Sequence, residues 1–364
     1  MGLRLNEDSF RKLISGQTRG AVAGVLRFLL VVVSLFYGGV VRFRNFLYCK
    51  KWFKVHRSGA AVISVGNITT GGTGKTPVVI WICNLLKEKG VLCGILTRGY
   101  KTNKESILET ESCGDEPAVL VKSCPDARLV INSDRVEGAN DAVNLFGVKA
   151  LVLDDGFQHR RLGRDLDIVT IDATNPFGYG KILPAGFLRE PVSCLARASA
   201  VIITRCGQVK EDALGDIEKK LLAINPDLTI AKSLHCPVCA ESSGGDEINL
   251  EELKGKRVFA FCGIGNPDSF FNTVRGLGAE LVGSRIYNDH YHYMDKCLKT
   301  IYEQAHGCGA DLILTTEKDW TKISLSEWAK KDIAFAYLQI KLQFSAGEAQ
   351  IRGLIDEALA GKMA

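Results

Sequence analysis

Gly66-Asn67-Ile68-Thr69-Thr70-Gly71-Gly72-Thr73-Gly74-Lys75-Thr76-Pro77 follows a short apolar run, Ala60 to Val65, and leads into a helical pattern, Pro77 to Lys89. That order of buried strand, glycine-rich loop and helix decides the fold. The glycines let backbone N–H groups approach phosphate oxygens, and the helix start adds a favourable dipole. The loop from Asn67 through Thr70, Gly71, Gly72, Thr73 and Gly74 is the expected phosphate cradle. Lys75 should reach the β- and γ-phosphates, and the Thr76 hydroxyl should ligate Mg²⁺. Pro77 falls in the first helical turn, where its missing N–H costs nothing. The usual first glycine of this motif, five residues before Gly74, is Thr69 here. A glycine-rich turn with an incidental lysine is the bland alternative, and the strand–loop–helix setting argues against it.

Working outward, Val91 to Thr97, Ala127 to Ile131, Val148 to Leu153, Leu166 to Ile171 and Ala200 to Thr204 read as further buried strands. Their near-continuous apolar character is what a parallel sheet covered on both faces requires. Alternation with helices implies βαβ units and a doubly wound P-loop-type α/β fold. The run Val148 to Leu153 ends in Asp154-Asp155-Gly156, and carboxylates at a strand's C-terminal edge are where such a fold holds its metal. Beyond a polar, glycine-rich loop, Glu241 to Asp246, the strand signal returns at Arg257–Cys262, 312–315 and 333–338. These observations divide the chain into an N-terminal segment, residues 1–57, a core, 58–228, and a smaller α/β domain, 229–364.

The N-terminal segment carries an apolar run. Ala21 to Val41 holds one charge, Arg27, and Phe28 to Val41 holds none. A spanning helix needs about 20 apolar residues, so the run is borderline for a crossing. Arg42-Phe43-Arg44 follows with no small-residue cleavage site, which speaks against a removed signal peptide. Basic flanks (Arg11, Lys12 and Arg19 before, Arg42, Arg44, Lys50, Lys51, Lys54 and Arg57 after) suit anionic headgroups and favour a cytoplasmic downstream domain. We therefore expect a membrane-associating helix, either spanning or shallowly inserted.

Composition excludes other classes. A net charge of +5 over 364 residues does not support wholesale nucleic-acid binding. Twelve scattered cysteines lack the spacing of a disulfide framework. His235, Cys236 and Cys239 form one possible metal corner without a second ligand pair, so ordinary loop cysteines are expected there. His159-Arg160-Arg161 and Arg164 offer positive charge for an anionic acceptor, or a solvated turn.

Several strings, taken in order, resemble the tetraacyldisaccharide 4'-kinases, the lipid A 4'-kinases. They are Gly66-Asn67 with the Gly71–Pro77 loop, Thr97-Arg98-Gly99-Tyr100, Gly114-Asp115-Glu116-Pro117, Asp154-Asp155-Gly156-Phe157-Gln158-His159, Leu183-Pro184-Ala185-Gly186 and Leu188-Arg189-Glu190-Pro191. In the C-terminal part they are Gly263-Ile264-Gly265-Asn266-Pro267, Asp289-His290 and Thr315-Thr316-Glu317-Lys318-Asp319. The resemblance implies transfer of the ATP γ-phosphate to the 4'-hydroxyl of a lipid A disaccharide 1-phosphate, at the cytoplasmic face of the inner membrane, by a monomer with Mg²⁺. It further implies a catalytic dyad of Asp115 and His290. Asp154, Asp155, Glu116 and Gln158 would surround metal and phosphates, and Arg98, Tyr100, Arg135 and Arg189 the phosphates and acceptor. The family often pairs two histidines after the aspartate, whereas here the run is Asp289-His290-Tyr291-His292-Tyr293.

Two other nucleotide-binding classes compete. A deviant-Walker regulatory ATPase shares Gly-Gly-x-Gly-Lys-Thr but carries lysine before the glycine pair, where this chain has Thr70. A GTPase reading of Thr316-Glu317-Lys318-Asp319 places the lysine one residue too late.

Overall fold

The computed structural model describes residues 7–98, 106–107, 115–289, 291–323 and 332–363. Two helices lead, α1 (Glu7–Ile14) and α2 (Ala21–Cys49). An alternating series follows: β1 (Ala61–Gly66), α3 (Lys75–Glu88), β2 (Cys93–Thr97), the short β3 (Ser106–Ile107), α4 (Asp115–Ser123), β4 (Arg128–Ile131), α5 (Arg135–Phe146), β5 (Ala150–Asp154), β6 (Leu166–Asp172), β7 (Ala200–Thr204) and α6 (Glu211–Ile224). The C-terminal half contains β8 (Thr229–Ser242), β9 (Glu247–Ile248), β10 (Arg257–Cys262), α7 (Pro267–Gly276), β11 (Glu280–Ile286), α8 (Asp295–Gly307), β12 (Leu312–Thr316), α9 (Glu317–Trp320), β13 (Ala334–Ala346) and α10 (Glu348–Met363).

The expected parallel sheet is present, with β1 between β5 and β6 at its centre. Every residue of β1, β2, β5, β6 and β7 is buried, which explains why these strands read as unbroken apolar runs. The strands of the C-terminal half join the same sheet, in the order β11-β10-β12-β13-β8-β7-β6-β1-β5-β2-β4-β3. The join is made by β8, parallel to β7 at one end and antiparallel to β13 along most of its length. Helix α10 then returns to the first half and seats Ile351, Ile355 and Leu359 in the core beneath β1 and α3.

Cys236 and Cys239 lie within β8 and not in the expected loop. Their thiols face Gln343 and Gln339 of β13. The strand continues through them because its backbone is paired with β13 from Lys232 to Ser242.

At 1.5 Å per residue α2 is about 43 Å long. Ser34, Gly38 and Val41, spaced at i, i+4 and i+7, form its buried face. The opposite face leaves Val22, Phe28, Phe36 and Val40 exposed, Phe36 at 75%. Polar contacts fasten the buried face. Ser34 Oγ donates to Ile182 O at 2.7 Å, Tyr37 Oη to Arg189 O at 3.2 Å, and Arg44 Nη2 to Glu190 Oε1 at 2.8 Å.

Candidate active site

The phosphate loop leaves β1 at Gly66 and enters α3 at Lys75. Gly74 caps the helix with φ 81°, a left-handed conformation that glycine adopts at little cost. A Cβ there would also lie 2.7 Å from His235 Nε2. Sequence-distant groups hold the loop's shape. Gln158 Nε2 donates to Asn67 O at 2.8 Å, Thr70 N to Phe187 O at 2.7 Å, and Arg205 Nη1 to Gly72 O at 2.8 Å. Within the loop, Asn67 Nδ2 donates to Thr73 Oγ1 at 3.0 Å, and the Thr73 and Thr170 hydroxyls lie 2.7 Å apart. The Gln158 amide thus braces the loop.

Strand β5 delivers the acidic pair beside Lys75. Lys75 Nζ lies 3.3 Å from Asp155 Oδ1, and Arg189 Nη1 donates to both Asp155 oxygens at 2.9 and 2.7 Å. Burial would raise the Asp155 pKa, but the charges of Lys75 and Arg189 bring it down to about 2. Asp155 is therefore ionised throughout the physiological range. Asp154 is 3% exposed. Arg135, buried behind it, donates to Asn132 O at 2.7 Å. Burial lowers its pKa to about 10, against the pull of Asp154 and Asp155, so it stays charged at neutral pH. With Thr76 in the first turn of α3, the donor set is hard oxygen, which fits Mg²⁺.

Arg98 follows β2, exposed, and its charge is felt at Arg135. Asp115 and Glu116 begin α4, on the same half of the sheet. Tyr100 and His290 lie outside the described residues. The neighbour of His290 is described: Lys318 Nζ donates to Asp289 Oδ1 at 3.1 Å. Next to Lys318, buried Asp319 accepts from Gly263 N at 2.9 Å and from the Thr316 hydroxyl at 2.7 Å. The turn after Gly263 then reaches the phosphate loop. A Cβ on Gly265 would lie 2.4 Å from Gly72 N, and Asn266 Nδ2 donates to Asp172 Oδ2 at 2.8 Å. Three C-terminal strings singled out in the sequence thus form one connected path from Asp289 to the loop.

Two arrangements escape a sequence reading. Arg205, buried, with φ 58°, pairs with Asp172 at 2.5 Å while holding Gly72. Glu190, 1% exposed, lies between Arg44 and Arg197 at 2.8 and 2.7 Å. The one available signal was position: Asp172 and Arg205 sit at the C-terminal ends of buried strands. The basic string is dispersed among separate partners. Arg161 pairs with Asp134, Arg164 with Asp167, and Arg160 donates to Asn45 O of α2. None of the three contacts the phosphate loop among the described residues.

A lysine-bearing phosphate loop at the centre of a parallel sheet, faced by an ionised carboxylate in an arginine clamp, defines a P-loop phosphotransferase. The sequence matches the tetraacyldisaccharide-1-P 4'-kinase family over residues 26–360. This chain belongs to that family. It is 38% identical to a tetraacyldisaccharide 4'-kinase of Syntrophus aciditrophicus (strain SB), covering 86% of this chain and 88% of the relative. It is 32% identical to one of Halothermothrix orenii, covering 97% and 96%. Among solved structures it is similar to the "apo" form of LpxK from Aquifex aeolicus in complex with ATP, at TM-score 0.68 and 28% identity, covering 92% of this chain and 99% of that one.

Proposed function

We infer that this chain is an ATP-dependent lipid kinase that phosphorylates the 4'-hydroxyl of a lipid A disaccharide 1-phosphate to give lipid IVA. The observation that carries the reading is the Lys75–Asp155–Arg189 cluster at the mouth of the phosphate loop. Phosphoryl transfer demands little covalent chemistry of the protein and much positioning and charge neutralisation. Lys75, Arg189 and Arg135 provide fixed positive charge where negative charge moves from the γ-phosphate to the leaving diphosphate. Asp154, Asp155 and the Thr76 hydroxyl would hold Mg²⁺, with Glu116 contributing from the start of α4. Bound there, the ion would supply positive charge against the phosphates.

A sugar hydroxyl is a poor nucleophile at neutral pH. We assign its activation to Asp115 and His290, one accepting or relaying the proton while the other orients it. We assign Arg98 and Tyr100 to the phosphates and acceptor, as the family resemblance implies. Residues 58–228 form the nucleotide-binding part and 229–364 the part that brings His290, and one chain supplies both, so a monomer suffices. Helix α2 docks on the cytoplasmic face of the inner membrane. Its buried face is fastened to the body from Ser34 to Asn45, which favours shallow insertion over crossing. Incubation with γ-labelled ATP and lipid A disaccharide 1-phosphate in detergent micelles tests the reading. One labelled phosphate on the 4'-position is expected, and ATP consumption with no labelled lipid would refute it.

A further inference from the structure

The phosphate loop lies at the C-terminal ends of the parallel strands. Near their N-terminal ends, about 20 Å away along β6, a second polar cavity of about 350 Å³ opens. Its wall is made by the chain that leaves α2 (Val55 and Arg57), by the 160–167 turn, by Arg197 and Ser199 before β7, and by Lys362 at the end of α10.

Positive charge exceeds negative in this cavity. The two carboxylates are already matched, Asp167 by Arg164 at 2.6 Å and Asp165 by Lys362 at 3.8 Å. Arg160 faces no carboxylate among the described residues. Its guanidinium donates to Asn45 O at 3.1 Å and lies over the Tyr48 ring at 5.0 Å, so the end of α2 fixes it at the rim. Arg57 is exposed and has no hydrogen-bond or ion-pair partner among the described residues. Arg197 pairs with Glu190 through Nη1, which leaves its buried Nε without a partner. Such a concave excess of charge selects an anion, and guanidinium groups favour phosphate oxygens.

The lip of the cavity says which phosphate. Beyond α2 the exposed apolar strip continues through Trp52, Phe53 and Val55, exposed by 74%, 43% and 46%, and Val55 itself lines the cavity. Free phosphate has no use for an apolar lip, whereas a phospholipid presents its phosphate beside its acyl chains. We propose that this cavity binds the phosphate-bearing headgroup of an anionic phospholipid, at a site separate from the acceptor site. The proposal rests on the reading of α2 as a membrane-docked helix.

Flotation of the full-length protein with vesicles of phosphatidylcholine, alone or mixed with phosphatidylglycerol, tests it. The wild type should prefer the mixed vesicles. Arg57→Gln/Arg160→Gln should lower binding to mixed vesicles roughly thirtyfold, at about 1 kcal/mol per basic residue near an anionic surface. The same variant should bind phosphatidylcholine unchanged and keep its transfer rate in detergent micelles. Arg57→Gln alone, which breaks no bond among the described residues, should show a smaller loss of the same kind. Lys219→Gln/Lys299→Gln, which removes equal charge from exposed positions on α6 and α8, should leave the preference intact. Retention of the preference in Arg57→Gln/Arg160→Gln, or an equal loss in the control, overturns the proposal. So does inorganic phosphate that stabilises the wild type but not the variant while the vesicle preference is the same in both, which would mark a free-phosphate site. Phe36→Asp separates the underlying reading: it should weaken binding to both vesicle types, and no effect there removes the membrane role of α2 itself.

Discussion

Between Gly66 and Lys75 the phosphate loop is bonded to Gln158, Thr170, Phe187 and Arg205 and lies close against the turn at Gly265. Helix α2, a much longer segment, is fastened along one face by Ser34, Tyr37, Arg44 and Asn45, and its other face is open. The loop is rigid because several separate segments specify its shape, so its function fails when a chemical group is removed. The helix is held along one face, so its proposed membrane role should fail when its open surface changes. The two are linked through residues 182–190. Tyr37 touches the backbone of Arg189, whose guanidinium clamps Asp155, and Arg44 binds the next residue, Glu190. Helix α2 is thus two side chains away from Lys75.

The largest effect should come from outside both regions. Asp115→Ala and His290→Ala should each lower kcat by about 10²–10⁴, as expected for lost general-base help. The double variant should be scarcely worse than either single one, because groups that act as a unit are non-additive. ATP binding should survive in all three. Additive losses, or an inactive His292→Ala beside an active His290→Ala, would end the dyad assignment.

Removing a brace of the loop should cost less. Arg205→Ala deletes the bond to Gly72 O and removes the paired charge of the buried Asp172 carboxylate, which keeps its hydrogen bonds from Asn266 and Thr174. Such a loss is worth about 3 kcal/mol of stability. It should appear in urea unfolding together with a raised KM for ATP. Unchanged ATP affinity in the folded variant would show that the loop holds its shape without the brace.

A pH dependence belongs to the same region. Burial, with the charge of Arg135 second, lowers the His159 pKa from 6.5 to about 4. The unfolded chain therefore takes up this proton first as pH falls. The stability involved is fully present above pH 6.5 and is lost as pH drops through about 4. His159→Gln should flatten the urea midpoint across that window, and an identical slope would remove His159 as its source. Smallest of all, Tyr37→Phe should change stability by about 1 kcal/mol or less, since its hydrogen bond is partly exposed. A large loss of kcat in detergent would instead make α2 part of the catalytic apparatus.

The legible parts of the sequence were the local ones. The strand expected at Ala60 to Val65 is β1, Ala61–Gly66, and the helix expected from Pro77 begins two residues earlier, at Lys75. Asp154 and Asp155 stand at the strand end where they were expected, because a buried apolar run fixes its own exit. What could not be read depends on partners far apart in the chain. Arg205 and Gly72 are 133 residues apart, and Arg44 and Glu190 146. Joining both halves in one sheet depends on β8 pairing with β13, about a hundred residues downstream. Arg160, Arg161 and Arg164 looked alike as a string and take three different partners, because a turn points consecutive side chains in different directions.

The rate of labelled phosphate transfer from ATP to the lipid A disaccharide 1-phosphate, compared between the wild type and a folded Lys75→Ala variant, tests the central claim most directly. A loss of about 10² or more in kcat is expected, since Lys75 neutralises charge in the transition state. A folded Lys75→Ala protein that transfers phosphate at nearly the wild-type rate would contradict the assignment of this loop as the site of catalysis.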